Sequence, residues 1–251
     1  MKKYIVTLRN LILVLSFSLC FPLFVFSQKP KVKNDPTHDD RPIHFGFSLG
    51  MNMMDYRIVH SEEAVRENVY IGLREVMPGI NIHAIANLRL AEYFDLRALP
   101  GISFGERYMY FKNTRLSDTV PFYVNNNYKV ESSYLEFPLL LKYKSKRLNN
   151  FRPYLIGGAN LRYDLAVKRE YDIKEQLIMI NPMDFYGEIG FGMDFYLTYF
   201  KLGTEIKYSF GLTNIINRED RHGELPDEFA KYTNVISKLT SHMVIISFHF
   251  E

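Results

Sequence analysis

Eight stretches in which apolar and polar residues alternate, links that are long and short by turns, and a basic start running into one apolar segment together predict an all-β fold. The class is an eight-stranded antiparallel transmembrane (outer-membrane) β-barrel with a plugged polar interior.

The opening MKKYIVTLRN leads into an apolar run from Leu11 to Phe26, followed by Ser27. This reads as a secretory signal over residues 1–27, cleaved after Ser27. A membrane anchor fits less well, because the run falls short of the ~20 residues a spanning helix needs and Pro22 interrupts it. Leu19 stands where lipidation of Cys20 would want a small residue. The single cysteine therefore departs with the signal, and the exported chain holds itself together without disulfides. Residues 28–42, QKPKVKNDPTHDDRP, are polar and aperiodic, and are expected to form a disordered periplasmic leader.

From Ile43 the pattern has period two, and residues 43–251 are read as the barrel. In the first strand Ile43, Phe45, Phe47, Leu49 and Met51 oppose His44, Gly46, Ser48, Gly50 and Asn52. The second sets Ile80, Ile82, Ala84, Ala86, Leu88 and Leu90 against Asn81, His83, Asn87 and Arg89. The third sets Phe94, Leu96, Ala98, Ile102 and Phe104 against Asp95, Arg97, Gly101, Ser103 and Gly105. Leu135 to Tyr143 alternate with Glu136 and Lys142, and Leu155 to Leu165 with Asn160, Arg162 and Asp164. Three further strands run from Phe185 to Phe195, Phe200 to Leu212 and His242 to Phe250. Soluble strands average about 5–6 residues, whereas a tilted strand needs about 9–11 to cross a bilayer. These are long enough to cross.

Links 56–78, 112–130, 168–182 and 214–239 are long, and they alternate with short ones at 91–93, 145–150 and 197–199. Short turns at one end and long loops at the other, with both termini on the turn side, are the asymmetry of an outer-membrane barrel. Tyr93, Phe94, Tyr143, Tyr199 and Phe200 are expected in a girdle at the turn side, and Tyr108, Tyr134, Tyr163 and Tyr208 in one at the loop side.

Apolar faces turned to lipid put the charges inside. The expected interior network comprises Arg89, Arg97, Glu136, Lys142, Arg162, Asp164, Asp184, Glu188, Lys201, Glu205 and Lys207, with Arg107, Asp95 and Asp194 on the same faces. Eight strands enclose a space that side chains can fill, and buried charges need partners, so a salt-bridged plug follows. Pro100, Gly101 and Pro138 mark a candidate seam between the third and fourth strands. Proline donates no ladder hydrogen bond, and two missing donors at one height suggest a bulge or gap.

The excess of 31 basic over 28 acidic residues resides in Lys2, Lys3 and Arg9, so the rest of the chain is balanced and nucleic acid is not an expected partner. Inward-facing His44, His83, Ser48 and Ser103 are a possible nucleophile and base. With no G-x-S-x-G, H-E-x-x-H, C-x-x-C or P-loop, they read as polar filler. The chain is expected to be non-catalytic, with no cofactor, metal or small-molecule substrate.

The segment Ser132 to Ala166, SSYLEFPLLLKYKSKRLNNFRPYLIGGANLRYDLA, resembles the PorT family of Bacteroidetes outer-membrane barrels. YLEFPLLLKY with RPYL and a glycine pair belongs to the broad class, and SKRLNNFRPYLIGGANLRYDLA is the more particular part. The resemblance implies an outer-membrane component required for protein export by the type IX secretion system, which supports gliding motility in motile relatives. Its partners would be outer-membrane lipid and other secretion-system proteins. The contrasting expectation is a free-standing surface barrel acting as an adhesin or lipid-modifying enzyme.

Overall fold

A strand with all its apolar residues on one side must hydrate or bury its polar side, and a closed ring of such strands in lipid does the latter. The computed structural model describes residues 33–36, 41–67, 69–73, 76–113, 127–167, 178–220, 223–224 and 234–251. The expected signal, 1–27, lies outside the described residues, as does most of the leader. Asn34–Glu251 form one compact unit.

The strands are β1 (Ile43–His60), β2 (Val69–Leu73), β3 (Pro78–Arg89), β4 (Phe94–Ala98), β5 (Gly101–Asn113), β6 (Asn127–Lys144), β7 (Phe151–Asp164), β8 (Met179–Ile180), β9 (Met183–Tyr196), β10 (Lys201–Gly211), β11 (Ile216–Asn217), β12 (Glu219–Asp220), β13 (Gly223–Glu224) and β14 (Ile236–Phe250). One short helix, α1 (Glu62–Glu67), follows β1. Eight staves close the ring in the order β1, β14, β10, β9, β7, β6, β4 with β5, and β3. Closure is made by β1, which pairs with β14 from Phe47↔Phe250 on one side and with β3 from Ile43↔Leu88 on the other. Every pairing is antiparallel. The wall has no free edge along the belt, which removes the unpaired backbone groups lipid cannot satisfy.

Side-chain direction follows the alternation. Phe45, Ile80, Phe137, Leu155, Ile189 and Ile246 point outward, while Asn52, Asn81, Arg97, Arg162 and Glu188 are buried inside. Of the expected girdle residues, Tyr93, Phe94, Tyr143, Tyr199, Phe200 and Tyr208 are exposed on the outer surface. Tyr134 corrects that expectation. It has the inward parity of Glu136 and is buried in the lumen.

Strands reach further toward the long loops than the alternation alone predicts. Outward-facing residues turn polar where Met53 gives way to Asp55, Phe104 to Glu106, Leu135 to Ser133 and Val244 to His242. Above that line Lys129 bridges Glu106 and Glu131, each at 2.8 Å. Its hydrogen bond holds the Glu106 carboxyl below the usual range. Inside this raised wall the polarity inverts, and Tyr56, Ile71, Met109, Ile178, Ile216, Ile236 and Leu239 form an apolar cluster. There β2 pairs with β5, occupying the place that β3 vacates by beginning at Pro78.

The expected bulge at the third stave is absent. One register runs from Phe94↔Tyr143 through Ala98↔Leu139 and on from Gly101↔Glu136 to Tyr110↔Asn127. Leu99, not Pro100, faces Pro138, and its amide donates to the Pro138 carbonyl at 3.2 Å. The Pro100 carbonyl accepts from Ala84 on β3 at 2.9 Å. Backbone N and C=O of a strand residue face the same neighbour, so the Pro138 nitrogen faces Leu99 while that of Pro100 faces Ala84. The two absent donors are thus adjacent along the stave and lie on its opposite sides. Gly101 fits because a Cβ there would strike the Ile82 carbonyl. Amide exchange in lipid should be faster at Leu99, Gly101 and Leu139 than at mid-strand Ile189; equal protection would show that the prolines leave no local weakness.

Candidate functional site

Among the described residues, the interior holds the densest group of buried ionisable side chains. At the turn-side mouth the Lys144 ammonium lies 2.6 Å from Asp95, and Lys142 lies 2.6 Å from Asp194. The Glu251 carboxylate receives Arg97 at 2.6 Å and Lys201 at 2.7 Å. Lys142 also sits 3.7 Å from the ring centroid of Tyr154. That ring has room because the facing Gly192 carries no side chain for it to meet.

Arg97 continues the network inward, to Glu205 at 3.7 Å. Glu205 accepts a hydrogen bond from the Tyr154 phenol at 2.8 Å and lies 3.3 Å from His249. Lys207 joins Glu205 at 4.0 Å to Glu188 at 2.8 Å. Arg162 then links Glu188 at 3.1 Å to Glu136 at 2.8 Å, and His83 meets Glu136 at 2.9 Å. One chain of alternating charges therefore runs from Lys201 at the mouth to Glu136 in mid-wall, where His83 ends it. Arg97, Arg162, Glu136, Glu188 and Glu205 are 0–2% exposed. A water-sized sphere reaches almost none of their surface, so they line no aqueous path.

Arg107 departs from this scheme. It is 2% exposed and has no carboxylate within ion-pair distance among the described residues. Its guanidinium instead donates to Ser241 at 3.1 Å, Ser132 at 3.0 Å and Tyr134 at 2.5 Å. It also stacks 4.1 Å from the Tyr56 ring centroid. Neutral acceptors and aromatic faces offset part of the desolvation cost, a desolvated cation–π contact contributing about 2 kcal/mol. This residue sits between the charged interior and the apolar cluster above, to which Tyr56 and Met109 belong.

The structure brings together Arg97, Glu136, Arg162, Glu188, Lys201, Glu205 and Lys207 in one network, with the Lys142–Asp194 pair beside it. Asp164 and Asp184 are buried but held otherwise. Asp164 accepts from the Ser133 and Ala166 amides, and Asp184 from the Thr213 hydroxyl. Arg89 stands half-buried at the mouth, its amide donating to the Pro42 carbonyl at 2.8 Å. Sequence reasoning missed Lys144, His249 and Glu251, although each continues the inward parity of its strand. It also paired all seven cations with anions, which Arg107 corrects. Among the possible catalytic groups, Ser48 and His83 are cross-strand neighbours, but the His83 Nε2 is engaged by Glu136. Among the described residues Ser103 Oγ meets no hydrogen-bond partner, and His44 and Ser48 are buried in the wall. Among the described residues no cluster of His, Cys, Asp or Glu is spaced to hold a metal ion.

A closed, polar-filled barrel with an apolar belt defines an outer-membrane protein. The outer membrane protein beta-barrel domain model matches residues 26–217, and the chain belongs to that family. Solved structures similar to it include Neisserial surface protein A, at 9% identity and TM-score 0.41, covering 84% of this chain and 99% of that one. OprG from Pseudomonas aeruginosa is similar at 11% identity and TM-score 0.41, covering 83% and 91%. The outer-membrane protease OmpT from Escherichia coli is similar at 12% identity and TM-score 0.43, covering 83% and 95%. No curated protein matches.

Charge reversal inside the wall should be far costlier than at the surface. Glu136→Lys sets a buried cation against Arg162 and removes the carboxylate that engages His83, and breaking a buried pair typically costs about 3–5 kcal/mol. Glu62→Lys, in the first turn of α1, should cost no more than about 1 kcal/mol. Urea unfolding in lipid vesicles reads both, and equal shifts would contradict the placement of Glu136 in the lumen.

Proposed function

We propose that this chain is a non-catalytic outer-membrane component of a protein-export machine of the type IX secretion kind. The observation that carries the reading is the filled interior. A barrel whose lumen is occupied by ion-paired side chains acts through its rim and wall, as an accessory or assembly factor does, and not by conducting solute. The resemblance of Ser132–Ala166 to the PorT family supplies the particular machine, and the two donors missing at Pro100 and Pro138, on opposite sides of the stave at Leu99, supply a compliant stretch of wall for a partner within the membrane. Outer-membrane lipid contacts the apolar belt, and other secretion-system proteins contact the rim.

Deletion of the gene, with complementation by the intact chain, tests this. The expected result is loss of many exported proteins from the medium and their retention in the cell. A defect confined to attachment or to lipid structure, with bulk export intact, would replace this reading with a free-standing adhesin or lipid-modifying barrel.

A further inference from the structure

The leader expected to be disordered contains an ordered stretch. Asn34 and Asp35 rest on the turn between β6 and β7, where Arg147 is 8% exposed although it belongs to a surface turn. The Arg147 guanidinium donates to the carbonyls of Asn34 and Asp35, the latter at 3.2 Å, while its Nε donates to the Asn149 carbonyl at 2.8 Å. It also stacks 3.6 Å from the Tyr196 ring centroid. Asn34 contributes in return. Its amide donates to Asn150 Oδ1 at 2.9 Å, and its side-chain nitrogen to the Tyr196 carbonyl at 3.0 Å.

Two backbone conformations are fitted to this contact. Asn149 and Asp35 have φ of 53° and 40°, in the left-handed region that Asn and Asp tolerate best among residues with a side chain. Asp35 also precedes Pro36, a placement that normally favours extended backbone. A left-handed residue there persists because the surroundings hold it.

The anchor points lie on opposite sides of the ring. Three staves separate β1 from β7 in either direction. Pro42, at the foot of β1, is bonded to Arg89 of β3, whereas Asn34 is bonded to the turn before β7 and to the end of β9. The two described stretches of the leader, at Asn34 and at Pro42, are therefore held on opposite sides of the ring.

We propose that Arg147, Asn150 and Tyr196 form a peptide-docking site on the periplasmic rim, filled by the chain's own leader. The site reads main-chain carbonyls through a forked guanidinium and one asparagine side chain through the Tyr196 carbonyl, so its ligand class is a turn-forming peptide segment. Occupied in cis, it holds Asn34 and Asp35 on the rim, and release of the leader exposes the same site to a segment supplied by another protein.

Trypsin cleavage after Lys33 in the full chain, folded in detergent micelles, reports release of the leader from this site. Arg147→Ala and Asn34→Ala should each be cut at least tenfold faster than the wild type, and Arg147→Lys, which lacks the fork, should not restore protection. Retained migration differences between unboiled and boiled samples in SDS verify the barrel. Asn34→Ala lies outside the wall and reads release even where an Arg147 variant fails to fold. In the second arm, a labelled peptide of residues 28–42 should bind the Asn34→Ala chain at least tenfold more tightly than a chain carrying Asn34→Ala with Arg147→Ala. Cleavage of folded variants at the wild-type rate, or equal peptide binding by the two chains, would overturn the proposal.

Discussion

The rest of this molecule depends on closing eight strands around a space that side chains fill. Once β1 joins β14 and β3, every second residue is committed to that space, and each polar group entering it has to find its partner on another strand. Charges cannot be screened there, so they alternate in space as Lys201, Glu251, Arg97, Glu205, Lys207, Glu188, Arg162 and Glu136 do. Such a network contributes little net stability compared with apolar packing of the same shape, but removal of one member leaves another stranded. It therefore fixes register: a slip by one residue would send the interior charges into lipid.

The wall meets two external media, and its interior answers each. Beside lipid the outer face is apolar and the inner face charged. Above the belt the outer face carries Glu106, Lys129 and Glu131, and the interior closes over Tyr56, Met109, Ile236 and Leu239 as an ordinary hydrophobic core does. Arg107 lies at this change of polarity, which accounts for its neutral partners. Carboxylates belong to the layer below it and aliphatic groups to the layer above.

The fold was legible because period two and link length are local signals, readable without knowing which strands touch. The same parity identifies most of the interior charges, since inward and outward positions alternate along β10 from Lys201 to Phe210 and along β7 from Tyr154 to Asp164, apart from the exposed Gly158. Pairing was not legible. Which carboxylate meets Arg97 depends on ring order and stagger, and the answer includes Glu251, 154 residues away. Tyr134 was assigned to the outer girdle by residue type when its parity pointed inward. The seat of Asn34 and Asp35 was hidden for a different reason: a segment rich in Lys, Asp and Pro has no periodic pattern, and the group that holds these two residues is Arg147, more than a hundred residues later.

The central claim is that the lumen is a solid polar core. Planar-bilayer conductance of the refolded chain tests it most directly, because current requires a continuous water path that ion-paired side chains at 0–2% exposure do not leave. The account predicts a membrane that stays at its baseline conductance after insertion of the protein is verified. A steady, ohmic open channel that scales with the number of inserted barrels would contradict it.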